Sequence, residues 1–247
     1  MYATVYNNEQ YVRKSINSIM LLHPKKIFVI DNFSKDRTYE ILKTYKNVII
    51  EQRRCNRGMG RNIALRKLLR ECNNTDHIIC IDLDSIYTKA YCKEIIRKRR
   101  HLIDGELYLG GYLSTAETNK KLPWNNFNYG EDIERLARAK YLGIKIIGGQ
   151  KTKKKDFYVR NAPGLNVSIR EGRYASGFSL ALRLMQNLID TERCYAYKSF
   201  SDFYNSADKK SKFRYFAFFV AYVIAKILGV YEYDKRLNNA DYVLRET

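Results

Sequence analysis

The fold and the chemistry of this chain centre on one segment, His77–Tyr87, which reads HIICIDLDSIY. Four apolar residues, Ile78–Ile81, lead directly into two carboxylates that stand two positions apart, Asp82 and Asp84. The apolar run predicts a strand buried on both faces, and the two-residue period of a strand points both carboxylates to the same side. Ligands of an open parallel sheet collect at the carboxyl ends of its strands. The pattern therefore indicates a metal site, although an isolated D-x-D is also common in turns.

Length, composition and charge limit the class of protein. The 247 residues, 45% of them hydrophobic, predict one domain over residues 1–150 and a helical extension over residues 151–247. The net charge of +19 favours anionic partners, among them nucleic acid, nucleotide diphosphates and an anionic membrane surface. Charge alone does not choose among these partners.

The cysteines and the N-terminal sequence indicate a compartment. Five cysteines lack any C-x-x-C spacing, so the sequence predicts neither a disulfide framework nor a zinc site. The first residues, MYATVYNN, contain neither a basic start nor an apolar signal core. We therefore expect a cytoplasmic location, either free or at the cytoplasmic face of a membrane.

Apolar segments of two different periods alternate along the first part of the chain. The predicted elements are strand Met1–Tyr6, helix Glu9–Leu22, strand Lys26–Ile30, helix Thr38–Tyr45, strand Val48–Glu51, a glycine turn at Asn56–Asn62 (NRGMGRN) leading into an amphipathic helix, strand Ile78–Ile81, helix Thr88–Arg100, strand Glu106–Gly111, helix Gly130–Tyr141 and strand Lys145–Ile147. Strands that alternate with helices at this spacing predict right-handed βαβ units. The expected fold class is α/β, with a mostly parallel sheet and helices on both faces.

Polar residues are dense at the carboxyl ends of four successive predicted strands. The four loops are Tyr6–Glu9, Asp31–Thr38, Asn56–Asn62 and Asp82–Asp84. Each loop alone is consistent with ordinary turn and capping chemistry. Together they predict a ligand site at this edge of the sheet.

Five motifs, in order, resemble those of the family 2 glycosyltransferases, which have the GT-A fold. YNNEQYVRKSINSI resembles that family's first strand and helix, and VIDNFSKDRTYEIL resembles its second strand and acidic loop. NRGMGRN, IDLD and GEDIERLAR resemble its glycine-arginine turn, its D-x-D and its Glu-Asp helix start. The resemblance covers Met1–Gly148 and is more specific as a set than any one motif. It implies a Rossmann-like GT-A fold and an inverting glycosyltransferase.

The resemblance also implies where the nucleotide of a nucleotide-diphosphate sugar donor binds. Thr4 and Tyr6 are expected near the base, with Tyr6 stacking on it, and Asp31 is expected to hydrogen-bond the edge of the base. Arg61 is expected beside the nucleotide and its diphosphate. Asp82 is expected near the ribose and the metal.

A metal is implied by the same resemblance and agrees with the chemistry of the reaction. Asp84, together with Asp82, is expected to bind a divalent ion that bridges the diphosphate. The negative charge that develops on a leaving diphosphate is stabilised by a hard cation held by oxygen ligands. Carboxylates without thiol or imidazole ligands favour Mn²⁺ or Mg²⁺.

Asp132, in the motif GEDIE, is the candidate catalytic base. The resemblance implies a single displacement with inversion, in which this aspartate takes the proton from the acceptor hydroxyl. The alternative is that acids in a first helical turn simply complement the helix dipole. Trp124, shortly before this helix, forms either the floor of an acceptor site or part of the core.

The chain also departs from the family pattern. It lacks the usual proline before the first Tyr-Asn, its glycine-arginine turn is shortened, and it has no Gln-x-x-Arg-Trp of the processive polysaccharide synthases. We therefore expect single sugar additions.

The extension is predicted to contain two helices, Tyr174–Ile189 and Phe213–Leu228. Phe213–Tyr231 is the most apolar run of the chain, but Arg214 and Lys226 interrupt it, so a membrane-spanning helix is not expected. Two interpretations stay open. The helix lies on an anionic membrane that carries a lipid-linked acceptor, or it packs on the domain or in a dimer interface.

The sequence therefore predicts a metal-dependent, hexosyltransferase-like enzyme that moves a sugar from a nucleotide-diphosphate donor to a hydroxyl of a glycan or lipid-linked acceptor. Two alternatives remain. One is a nucleic-acid-binding protein on an α/β scaffold, suggested by the charge and the 21 tyrosines, although nucleic acid is the less expected partner. The other is a metal-dependent phosphoesterase that hydrolyses nucleotide sugars through Asp82 and Asp84.

Overall fold

Three short apolar segments near the N-terminus form a parallel sheet. The structure is a computed structural model that describes residues 1–126, 130–148 and 159–161, the helical positions 182, 185, 186 and 189, and residues 212–228. Strands β1 (Tyr2–Val5), β2 (Ile27–Asp31) and β3 (Val48–Gln52) pair in parallel in the order β1-β2-β3. Each strand is followed by a helix, as the alternating periods predict.

The remaining elements follow in chain order. They are α1 (Glu9–Ile19) with a 3₁₀ turn (Met20–Leu22), α2 (Thr38–Lys43), α3 (Arg57–Leu69), β4 (His77–Ile78), β5 (Ser85–Tyr87), α4 (Lys89–Arg99), β6 (Glu106–Tyr108), β7 (Ser114–Thr115), α5 (Ala116–Lys121), α6 (Glu131–Tyr141), β8 (Lys145–Ile147), β9 (Val159–Asn161) and α7 (Lys212–Leu228). β6 pairs with β8 in parallel, whereas β4 with β7 and β5 with β9 pair antiparallel.

The buried segment before the two aspartates lies beside β1. Only its first two residues form a regular ladder, but the Tyr2 amide donates to the Ile79 carbonyl and the Ile81 amide donates to the Tyr2 carbonyl, both at 3.0 Å. Ile78–Ile81 are all buried. The predicted strand Ile78–Ile81 is thus a regular strand only at Ile78, which belongs to β4 and pairs with β7, and it joins β1 through an isolated parallel bridge at Cys80. Residues 77–81 are called the central extended segment below, and the two aspartates follow its carboxyl end.

Helices cover both faces of this sheet, and the two-residue period of the strands assigns the side chains. Ala3 and Val29 point to the side covered by α1, α2 and α4. Tyr2, Phe28 and Ile30 point to the other side, where they pack against α3. The predicted α/β architecture with a mostly parallel sheet is confirmed.

The predicted glycine turn at Asn56–Asn62 is wrong, because this segment forms the first turns of α3. Asn56 caps the helix by accepting a hydrogen bond from the Met59 amide at 2.9 Å. A Cβ at Gly60 would lie 2.5 Å from Thr4 Oγ1. The glycine is needed for the close approach of the helix to β1, not for a turn.

A buried polar cluster joins β1 to α6 and shows that Trp124 is part of the core. The Trp124 indole donates to the Tyr2 hydroxyl at 2.6 Å, and both side chains are buried. The fully buried Arg135 lies 4.4 Å from the centre of the Trp124 ring and donates to Asn119 Oδ1 at 2.7 Å and to the Leu122 carbonyl at 3.1 Å. The acceptor-floor alternative for Trp124 is therefore not supported.

The predicted second helix of the extension, Phe213–Leu228, is confirmed as α7, whereas most of the first lies outside the described residues. Ala221 and Ala225 of α7 are buried against Met185 and Ile189, and Ile133 of α6 packs against this cluster. In the described part of the chain, no helix is both long and apolar enough to cross a bilayer.

Candidate functional site

A cavity lies where the carboxyl ends of β1, β2 and the central extended segment meet. Its lining consists of Thr4, Val5, Tyr6, Asn7, Asn8, Asn32, Asn56, Arg57, Asp82, Leu83 and Asp84. Its volume of about 120 Å³ is below the roughly 300–1,000 Å³ of sites that enclose a whole small ligand. It can hold a metal and phosphate groups, and a nucleotide would extend out of it.

A larger cavity of about 500 Å³ lies at the opposite edge of the sheet. It is lined by residues around the amino ends of β1, β2 and β4, among them Met1, Lys26 and His77. Ligands of parallel sheets bind at the carboxyl ends of the strands, and the paired aspartates line the smaller cavity. Chemistry therefore favours the smaller cavity as the functional site.

Hydrogen bonds between loops fix the walls of this cavity. The Asn8 side chain donates to the Leu83 carbonyl at 2.5 Å, which ties the loop after β1 to the D-x-D segment. The Asn7 amide donates to Ser34 Oγ at 2.9 Å, and the Lys35 amide donates to Asn7 Oδ1 at 2.8 Å. The asparagines of the first motif thus join three loops.

The D-x-D segment places both aspartates at the cavity, as predicted. Leu83 between them is buried, whereas the Asp82 side chain is 58% exposed. The Asp82 backbone is held by the Tyr87 hydroxyl, which accepts from its amide at 2.8 Å and donates to its carbonyl at 3.1 Å. Burial is the main cause that raises the pKa of Tyr87 well above its usual value, and the negative charge of Asp82 is the second. The hydroxyl therefore stays protonated.

Arg61 lies beneath the cavity and connects two carboxylates. Its guanidinium donates to Asp82 Oδ1 at 2.7 Å and to Glu131 Oε1 at 3.0 Å, and its side chain is only 7% exposed. Arg61 is not one of the described residues that line the cavity. Its proposed contact with the nucleotide and diphosphate stays a prediction.

Glu131 is the site residue whose role the sequence did not reveal. It is buried and pairs with both Arg61 and Arg57, whose Nη1 lies 3.3 Å from Glu131 Oε1. Burial raises the pKa of the Glu131 carboxyl, and the two arginines act in the opposite direction. Its other oxygen, Oε2, has no hydrogen-bond partner within the described part of the chain.

Three residues are expected near the nucleotide base. Two of them line the cavity, and the third does not. Thr4 and Tyr6 are lining residues. Asp31 is fully buried, and its carboxylate accepts hydrogen bonds from the Ser34 amide and hydroxyl and from Gln52 Nε2, the last at 2.9 Å. In this arrangement Asp31 holds its own loop, so its contact with a base stays a prediction, as do those of Thr4 and Tyr6.

Asp132 follows Glu131 in the first turn of α6. Its carboxylate is partly exposed and accepts a hydrogen bond from the Ile133 amide at 2.9 Å. Gly130, at the helix start, has a φ of 75°, which favours glycine. Asp132 is not among the described residues that line the cavity, although its neighbour Glu131 pairs with Arg57, which is one of them. Its role as the catalytic base stays a prediction.

The cavity carboxylates fit a hard divalent ion. Within the described residues there is no cluster of three or more histidine, cysteine, aspartate or glutamate side chains that could hold a metal by themselves. Mg²⁺ is typically bound through one or two carboxylates together with substrate phosphates. Asp82 and Asp84 supply this donor set, so they would hold Mn²⁺ or Mg²⁺ together with a phosphate ligand.

These features define an α/β protein with a cavity at the carboxyl ends of its parallel strands, lined by two carboxylates, one arginine and several asparagines. Residues 3–149 match the model of glycosyl transferase family 2, and the chain belongs to that family. The GT-A fold and glycosyltransferase activity follow from this membership, which favours neither the nucleic-acid-binding nor the phosphoesterase alternative. A comparison with curated proteins gives no match.

Arg61 is predicted to be a stability residue because it neutralises buried Glu131. Removing one partner of a buried ion pair costs about 3–5 kcal/mol, so Arg61→Met is expected to lower the free energy of unfolding by about 3 kcal/mol. Arg97→Met is the control, because Arg97 pairs with Glu94 but is 62% exposed, and a change within about 1 kcal/mol is expected. Denaturant unfolding measures both, and equal changes would contradict the assignment.

Proposed function

We propose that this protein transfers a sugar from a nucleotide-diphosphate donor to a hydroxyl acceptor, with inversion and with a divalent ion, Mn²⁺ or Mg²⁺. The observation that carries the proposal is the cavity itself, which Asp82 and Asp84 line together with Thr4 of β1 and Tyr6 of the loop after β1, at the carboxyl edge of the sheet. When bound, the ion would supply Lewis-acid stabilisation of the departing diphosphate.

The residues of the chain are assigned complementary roles. Asp84 and Asp82 would hold the ion, and Thr4, Tyr6 and Asp31 would bind the nucleoside. Asp132 accepts the proton of the acceptor hydroxyl while the oxygen attacks the anomeric carbon. The bond from that carbon to the diphosphate breaks, and its electron pair leaves with the nucleoside diphosphate. One displacement of this kind inverts the configuration at the anomeric carbon.

Two observations support Asp132 over its neighbours as the base. Glu131 is buried and bound to two arginines, so it is poorly placed to take a proton from an acceptor. Neither Asp104 nor Asp132 is among the described residues that line the cavity. Asp104, however, lies in the exposed turn before β6, whereas Asp132 directly follows Glu131, which pairs with the lining residue Arg57. Asp132 is partly exposed beside the network that borders the cavity.

A hexosyl donor, a glycan or lipid-linked acceptor and a location at the cytoplasmic face of a membrane complete the proposal. Helix α7 supports the membrane part, because Phe219, Val223 and Ile227 are exposed at four-residue spacing along one side. Lysines at 209, 210 and 212 precede this apolar stripe. An apolar stripe on a helix, with lysines close to it in sequence, is typical of a segment that binds an anionic membrane.

Asp84→Asn is expected to abolish Mn²⁺-dependent binding of nucleoside diphosphates, because it removes an anionic oxygen ligand while the side chain stays at an edge of the sheet. Asp82→Asn is expected to weaken binding less. Asp104→Asn, the same change at an exposed position, should leave binding unchanged. Calorimetry with and without Mn²⁺ measures the effect, and unchanged Mn²⁺-dependent affinity in Asp84→Asn would refute the metal assignment.

Asp132→Asn is expected to lower the transfer rate by at least about a hundredfold, because a positioned base contributes roughly 10²- to 10⁴-fold. Donor affinity should stay within a few fold of wild type, since the donor is held by the metal and the nucleoside site. Steady-state transfer and donor binding are measured in parallel, with Asp104→Asn as control. Near-normal transfer by Asp132→Asn, or loss of transfer by Asp104→Asn, would place the base elsewhere.

Replacing Val223 and Ile227 together by serine is expected to reduce sedimentation of the protein with vesicles of anionic phospholipid. Wild type should bind these vesicles, prefer them to neutral ones and be partly released by salt, because part of the attraction is electrostatic. Ile103→Ser is the control, since Ile103 is an exposed apolar residue elsewhere on the domain. If wild type does not sediment with anionic vesicles, the membrane proposal fails.

A further inference from the structure

Arg57 is the basic residue among the described residues that line the cavity. The other lining residues are neutral or acidic, and the acidic ones are Asp82 and Asp84. The Arg57 side chain is 33% exposed, against 7% for Arg61. The two arginines share Glu131 as a partner, but only Arg57 presents surface to the cavity.

The charges around the cavity show what Arg57 contributes. The cluster contains three carboxylates, which belong to Asp82, Asp84 and Glu131. With the guanidinium groups of Arg57 and Arg61 its formal net charge is −1. A divalent ion on the two aspartates would change the net charge of the cluster from −1 to +1. Without Arg57 the same cluster would be neutral with the ion bound, so Arg57 makes the loaded site attractive to a polyanion.

The geometry gives Arg57 a fixed direction. It is the first residue of α3, and the preceding residue, Asn56, caps the helix and also donates to the Asn126 carbonyl at 3.0 Å. Glu131 pairs with Arg57 Nη1 from the buried side. A guanidinium is a planar fork that matches the geometry of a phosphate, and the Arg57 side chain is 33% exposed where it lines the cavity, so a phosphate bound there can reach it.

We propose, as an inference that rests on the proposed function, that Arg57 binds the diphosphate of the donor and that Glu131 is the positioning residue that orients it. As the bond between the anomeric carbon and the diphosphate breaks, the leaving oxygen takes the electron pair and gains negative charge. Arg57 stabilises this charge through hydrogen bonds. The ligand chemistry is therefore a nucleoside diphosphate, with the contact made to its phosphates and not to its base.

The experiment compares nucleoside diphosphates with the matching nucleosides. Uridine, guanosine, cytidine and thymidine diphosphates are screened by calorimetry with Mn²⁺, and the tightest is used with every variant. Arg57→Gln is expected to weaken diphosphate binding by about ten- to a hundredfold, because it removes a charged hydrogen-bond donor. Affinity for the nucleoside, measured by competition, should stay within threefold.

Three further variants separate a direct contact from a loss of structure or of overall charge. Arg57→Lys keeps the charge beside Glu131 but loses the fork, so an intermediate loss of diphosphate affinity is expected. Glu131→Gln is expected to lower the ratio of diphosphate to nucleoside affinity, which a purely structural role would not change. Arg70→Gln removes the same charge after the other end of α3 and should leave both affinities unchanged.

The possible results are distinguishable. If wild type binds a diphosphate with Mn²⁺ and Arg57→Gln binds it equally well, the inference is wrong while the proposed function stands. If Arg57→Gln loses nucleoside and diphosphate affinity in the same proportion, or if Arg70→Gln has the same effect, Arg57 is not a phosphate ligand. If wild type binds no nucleoside diphosphate, the proposed function fails and this inference fails with it.

Discussion

The buried guanidinium of Arg61 is the interaction on which the arrangement of the site depends. It connects Asp82, at the end of the central extended segment, to Glu131, at the start of α6. The segments that carry these residues are far apart in sequence, and α3 lies between them in space. A charge buried in this way needs partners with good geometry, because the desolvation of each ion costs several kcal/mol. The three elements are therefore held in one relative position.

This constraint explains how the exposed carboxylates of Asp82 and Asp132 are held in defined positions. Asp82 is largely exposed, yet its carboxylate is oriented from below by Arg61 and its backbone is held by Tyr87. Asp132 is carried by the helix whose first residue is locked between two arginines. Buried residues thus fix the position of the more exposed carboxylates at this end of the sheet. Such support is what a site needs when geometry must be kept to a fraction of an ångström.

Much of the fold could be predicted from local patterns, because strand and helix periods are visible in single segments. The strands near Tyr2, Ile27 and Val48 and the helices between them lie within a few residues of the predicted bounds. The Asn56–Asn62 motif was misassigned because glycine in a sequence is compatible both with a turn and with close packing. The contact of Gly60 with Thr4 depends on the tertiary structure and leaves no local signal.

The positions of the aspartates in the candidate site could be predicted from the sequence, whereas the partners of its arginines could not. Two aspartates after an apolar run mark a strand end, so Asp82 and Asp84 could be assigned to one cavity from spacing alone. The partners of Arg61, Arg57 and Arg135 could not, because they lie at least 13 residues away along the chain. In the sequence, Glu131 is recognisable only as part of a helix start. Its burial between Arg57 and Arg61 depends on the tertiary structure and leaves no signal in the sequence.

The most direct test of the account is a crystal structure with Mn²⁺ and the tightest-binding nucleoside diphosphate, with the ion located by its anomalous scattering. We predict a single strong peak at the cavity of Thr4, Tyr6, Asp82 and Asp84, coordinated by at least Asp84 and by oxygens of the diphosphate. A nucleotide bound elsewhere, for example in the larger cavity at the amino ends of the strands, would contradict the account. So would a diphosphate in the predicted cavity with no metal between it and the aspartates.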